Sequence, residues 1–81
     1  MIKYVTNQKA EVDIHNMFRV DAKKYLEQFL SKVNGSIKEV VVIHGYSSGT
    51  VLQEMVRKLK HKRIKSKMIG LNPGITTFFL F

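Results

Sequence analysis

Two apolar runs in this 81-residue chain each stop at a histidine, and each gives way to a helical pattern. The first is Val12-Asp13-Ile14-His15. The second is Val41-Val42-Ile43-His44, continued by Gly45-Tyr46-Ser47-Ser48-Gly49. A strand that feeds a helix and then a second strand predicts a crossover connection within one α/β sheet. In open sheets of this kind, ligands gather where strands end and helices begin. If the two strands lie side by side, Asp13, His15 and His44 converge beside a Gly/Ser loop. Such a site suits the handling of phosphate.

The rest of the chain fills in around these two units. Ile2 to Thr6 reads as a short extended segment, an edge strand, followed by a turn at Asn7-Gln8-Lys9. Residues 11–15 alternate, which sets Val12 and Ile14 on one side and Asp13 and His15 on the other. Ala22, Tyr25, Leu26, Phe29, Leu30 and Val33 recur at helical spacing over residues 20–33, with Asp21 in the first turn and a left-handed stop at Asn34-Gly35. The β-branched run over residues 39–43 suits a strand buried on both faces. Thr50 and Gln53 have capping-box spacing ahead of a helix with the stripe Val51, Leu52, Met55, Val56 and Leu59. A weaker strand over residues 66–71, a turn at Asn72-Pro73-Gly74 and a last, antiparallel strand from Ile75 to Phe81 complete the order β-α-β-α-β-β. The expected fold is a two-layer α/β sandwich of about four mixed strands and two helices. The right-handed crossover rule puts both helices on one face. Residues 1–10 read as an N-terminal extension and residues 11–81 as the domain.

A chain this short buries roughly 60% of its unfolded surface, enough for one modest core. It has no cysteine, so it has neither a disulfide framework nor a thiolate metal site, which fits a cytoplasmic setting. No run approaches the roughly 18 apolar residues of a membrane span, and no membrane partner is expected. The net charge of +8 is the strongest compositional signal, and it favours an anionic partner, nucleic acid first. Half of the fourteen cations fall in one stretch: Arg57, Lys58, Lys60, Lys62, Arg63, Lys65 and Lys67. These read as a footprint on backbone phosphates. The plainer reading is a solvated patch that complements a helix C-terminus. None of the aromatic residues is interleaved with this cluster, which argues against an aromatic platform for single strands.

Asp13 and His15 lie two apart on one strand face, so the carboxylate can fix the imidazole tautomer, although D-x-H also serves as a turn pair. Gly45 permits a sharp turn after His44. The loop Gly45, Tyr46, Ser47, Ser48, Gly49 then enters a helix N-terminus, where free N–H groups can cradle phosphate. The plainer alternative is a tight loop with serine caps. It is not a Walker motif, since no lysine follows Gly49. The histidines and acids lack the spacing of a closed zinc site, while a hydrated Mg²⁺ or Mn²⁺ at Asp13 stays open.

Taken together, Val12-Asp13-Ile14-His15, one helix, and His44-Gly45-x-x-x-Gly49 opening a second helix resemble the Smr (small MutS-related) domain family. That family carries L-D-x-H on its first strand and H-G-x-G-x-G after its second. The resemblance covers roughly residues 11–81. It implies a mixed four-stranded sheet with two helices, also seen in the C-terminal domain of a bacterial translation initiation factor. It further implies nucleic-acid binding, with endonuclease activity on DNA or RNA in several members. Asp13 and His15 fall on the first motif; His44, Gly45 and Gly49 fall on the second. Val12 stands for the family leucine and Asn16 for the glycine after the histidine. Ser47 replaces the central glycine, Ser48 the usual threonine, and Tyr46 an often polar residue. The glycine-rich stretch before the last strand is reduced to Asn72-Pro73-Gly74.

The reading is therefore a nuclease with His44 as general acid or base, His15 as its partner, and Asp13 orienting His15 or holding a metal. Imidazole, with an ordinary pKa of roughly 6.5, suits the proton transfers of phosphodiester cleavage. The alternative is a non-catalytic module that binds nucleic acid or the ribosome.

Overall fold

The computed structural model describes residues 1–46 and 49–81. Five strands and two helices alternate along the chain: β1 (Ile2–Tyr4), β2 (Lys9–Asp13), α1 (Arg19–Lys32), β3 (Glu39–Ile43), α2 (Val51–Lys58), β4 (Ile64–Met68) and β5 (Ile75–Leu80). They form one sheet in the order β1-β2-β3-β5-β4. β2 and β3 are parallel, and every other neighbouring pair is antiparallel. The mixed sheet with two helices is the expected architecture, and the short edge segment at Ile2–Tyr4 supplies the additional strand.

β5 is antiparallel to both β3 and β4, so those two strands point the same way. The chain thus makes two crossovers in one direction, β2 to β3 through α1 and β3 to β4 through α2. Right-handed crossovers place both helices on the same face, and α1 and α2 pack against each other there. Between the helices and the sheet lie Val12, Ile14, Leu26, Leu30, Val40, Val42, Val56 and Phe78, all fully buried. Each such side chain is worth about 1.5–3 kcal/mol in burial.

The opposite face has no second layer among the described residues. Val41 and Ile43 are only half-buried there, so β3 is covered on one face and not, as its composition predicts, on both. The helix stops also differ from expectation. Val33 is extended and ends α1, and no residue at Asn34-Gly35 adopts positive φ. The Asn34 side chain instead accepts the Ser36 N–H at 2.9 Å. Thr50 makes no side-chain cap bond, and Gln53 donates to the Pro73 carbonyl at 2.7 Å, so the capping box does not form. β2 begins two residues earlier than its alternation suggests, and β4 begins at Ile64, with a bulge between Ile64 and Ser66.

Candidate functional site

The parallel pairing of β2 with β3 sets Asp13 opposite Ile43, and the Ile14 N–H donates to the Ile43 carbonyl at 2.9 Å. The residues that follow, His15 on one strand and His44 on the other, therefore stand at the same edge of the sheet. A cleft of about 670 Å³ opens there, with Asp13, His15, Phe18, Arg19, Gly45 and Tyr46 among its walls.

Asp13 holds His15 twice. Its Oδ1 accepts the His15 backbone N–H at 3.1 Å and also pairs with Nδ1 of the ring. A carboxylate only accepts, so Nδ1 carries a proton, and in the neutral imidazole Nε2 is the nitrogen that keeps its lone pair. The His15 side chain remains 54% exposed. Burial pushes the Asp13 carboxyl up, but the His15 ring and backbone N–H, with the charges nearby, outweigh it and hold Asp13 below the usual carboxylate value. Asn16 turns the chain out of β2 with φ of 68°. This is the left-handed region, where asparagine is the best tolerated residue after glycine.

His44 is placed differently. It is only 3% exposed. Its Nδ1 lies 2.9 Å from the Gly45 carbonyl and its Nε2 2.9 Å from the Thr76 hydroxyl. A carbonyl cannot donate, so Nδ1 carries the proton and Nε2 accepts from Thr76. Burial holds the ring below its ordinary 6.5, the Gly45 carbonyl opposes this, and the charge of Arg57 adds to it. Both nitrogens of His44 are thus engaged within the protein. At His15 only Nδ1 is so engaged among the described residues.

The loop glycines are also occupied. The N–H groups of His44 and Gly45 both donate to the Gly74 carbonyl, at 2.9 and 3.0 Å, and Gly49 donates to Tyr46 at 3.1 Å. The Gly45 and Gly49 amides expected to face a phosphate are engaged in backbone bonds, and both residues adopt the positive φ that glycine permits (71° and 104°). Gly74 is closely packed. A Cβ there would stand 3.4 Å from the Gly45 Cα and 3.3 Å from Asn72 Oδ1. Ser47 and Ser48 lie outside the described residues.

The basic stretch divides in two. Lys67 donates to the carbonyls of Arg57 and Leu59 at 2.7 and 2.5 Å, closing the C-terminal end of α2. Burial, then the charge of Lys60, lowers its pKa. Arg63 donates to the Val33 carbonyl at 3.2 Å, closing the end of α1. Arg57 is half-buried and its Nε is without a partner among the described residues. The side chains of Lys67 and Arg63 thus serve the fold. Lys58, Lys60, Lys62 and Lys65 are exposed. Lys58 and Lys60 share a groove of about 380 Å³ between the helices with Arg19 and Lys23, against Glu27 and Glu54. Arg19 and Val51 line this groove and the His15 cleft alike, so the two adjoin.

Arg19 and Phe18 belong to neither motif, yet both carry a signal. Arg19 opens α1, where the helix dipole disfavours cations, and Phe18 holds the N-cap position without any capping bond. His61 joins the end of α1 to the turn before β4. Its ring lies 3.0 Å from the Ser31 hydroxyl and accepts the Arg63 N–H at 3.1 Å. No group of three or more His, Asp or Glu side chains converges among the described residues, so Asp13 would hold a divalent ion largely through water. No described helix is long and apolar enough to cross a membrane.

Comparison with known proteins agrees with this geometry. The Smr domain of MutS2 from Thermus thermophilus, a crystal structure, superposes with a TM-score of 0.78 at 20% identity, over 88% of this chain and 96% of that one. No curated protein matches. The family description "Smr domain" matches residues 12–70, which include both strand–histidine junctions and the whole of α1 and α2. This chain belongs to the Smr domain family, a family of nucleic-acid-related modules.

Proposed function

We propose that this domain binds nucleic acid and cleaves a phosphodiester bond at the Asp13–His15 pair. The observation that carries this reading is the half-exposed imidazole of His15, held by Asp13 through Nδ1, in a cleft that adjoins a basic groove. His15 Nε2 takes the proton from an attacking hydroxyl, either water or a ribose 2′-OH. The new P–O bond forms as the ester P–O bond breaks, and the leaving oxygen takes a proton from solvent in this open cleft. Asp13 stabilises the imidazolium that results. Arg19 neutralises charge on the phosphoryl oxygens. His44 is a positioning residue: its bonds to Thr76 and Gly45 hold the loop that faces His15.

A second reading, a non-catalytic module for nucleic acid or for the RNA of the ribosome, is favoured by one observation. The Gly45 and Gly49 amides and both nitrogens of His44 are occupied inside the protein. Incubation with supercoiled plasmid and with structured RNA, at low salt, with and without Mg²⁺ or Mn²⁺, separates the two. Cleavage that disappears in His15→Ala supports the first reading. Binding of both substrates without cleavage under any of these conditions leaves the second.

A further inference from the structure

Phe18 is 82% exposed and Tyr46 59% exposed, and both line the cleft that holds His15. They come from the two loops that leave the parallel strands. Phe18 stands on the side of α1. The Tyr46 ring lies beside Gly74, where an added Cβ would be 3.5 Å from its Cδ1. Leaving a large ring in water forgoes burial, and phenylalanine at an N-cap forgoes a capping bond worth about 1 kcal/mol. Arg19 next to it opposes the helix dipole. Three local preferences are thus broken around one exposed histidine, a pattern expected where a surface is kept for a ligand.

The chemistry of the surface names that ligand. No aromatic is interleaved with the basic stretch along the sequence, but the fold sets two rings in the cleft that Arg19 shares with a groove of four cations and two acids. Rings accept the faces of unpaired bases, and cations spaced along a groove accept the phosphates of one strand. Bases stacked within a duplex present no free face to a side chain. We propose that the site takes unpaired nucleotides, with Phe18 and Tyr46 stacking bases in the cleft of His15 and the α1–α2 groove holding the adjoining phosphates. This rests on the reading of the domain as a nucleic-acid binder, and it specifies the substrate as a single strand or an unpaired loop.

The test is the affinity of labelled oligonucleotides at low salt, as single-stranded DNA, single-stranded RNA and the matching duplexes. The single strands are expected to bind more tightly than the duplexes, whichever sugar is preferred. Phe18→Ala and Tyr46→Ala should each weaken single-strand binding by about 5- to 100-fold, with little effect on the duplex. Phe18→Trp should restore binding. The chain has no tryptophan of its own, so quenching of that indole by a single strand reports stacking at this position alone. Circular dichroism confirms that each variant is folded. Equal affinity for single strands and duplexes, with Phe18→Ala weakening neither, overturns this proposal and leaves nucleic-acid binding standing. Failure of every oligonucleotide to bind the folded wild type overturns both.

Discussion

The Thr76 hydroxyl lies 2.9 Å from Nε2 of His44, tying the end of β3 to the strand beside it, β5. The bond joins residues 32 positions apart, and it occupies the nitrogen that a general base would need.

Stability should therefore report on His44. Burial holds its pKa below the ordinary 6.5, so the unfolded chain takes up a proton at a higher pH than the folded one. The contribution is fully present above about pH 6.5 and is lost as pH falls below it. Unfolding free energy from urea titration should decline between about pH 7.5 and 5.5, and His44→Gln should flatten that decline. Thr76→Val leaves a buried nitrogen without a donor and should cost about 1–3 kcal/mol. An unchanged slope in His44→Gln would show that another group governs it.

Turnover should depend on the Asp13–His15 pair as one unit. His15→Ala and Asp13→Asn should each lower the cleavage rate by roughly 10²–10⁴, and the double variant should be little worse than either. Affinity should change far less, because it rests on many cations. A cleavage rate that persists in His15→Ala assigns the activity elsewhere.

The basic stretch should separate into two kinds of cation. Lys58→Glu and Lys60→Glu, both at exposed positions, should leave stability within about 0.5 kcal/mol of wild type. Each should weaken nucleic-acid binding and reduce the slope of log affinity against log salt by about one for each phosphate no longer neutralised. Lys67→Ala should act in the opposite sense. It removes the donor to the Arg57 and Leu59 carbonyls and should lower stability by about 1.5–3 kcal/mol. Equal losses of stability at Lys60 and Lys67 would contradict this division.

Asn16 tests the turn that presents His15. With φ of 68°, Asn16→Gly should be neutral or slightly stabilising, and Asn16→Val should cost about 1–2 kcal/mol. Thermal denaturation gives both values, and a stable Asn16→Val would show that the turn relaxes to another conformation.

Much of the fold is legible in the sequence because α1, α2, β2 and β3 each bury one periodic face, and periodicity survives along the chain. The helix ends are not. Val33 and Leu59 stop the helices with extended backbone, while Arg63 and Lys67, cations from β4 and the turn before it, bind the freed carbonyls. No local pattern announces a cap donated from elsewhere in the chain. The start of β4 is hidden in the same way, because the bulge after Ile64 breaks its alternation. The placing of His15 and His44 at one sheet edge follows from the strand–helix order. The burial of His44 does not, since it needs Thr76 from a strand whose position beside β3 depends on the whole topology. Arg19 joins the basic groove only because α1 lies against α2, which no spacing along the chain conveys.

The carbonyl of Gly74 receives the N–H groups of both His44 and Gly45, and the strand that follows it separates β3 from β4. The family match ends four residues earlier, at residue 70. A chain cut at that point would keep His15, His44 and every matched residue. It would lack the strand that hydrogen-bonds β3 on one side and β4 on the other, and the ring of His44 would lose its cover. The stretch by which relatives are recognised is shorter than the stretch that must be synthesised before the cleft can exist.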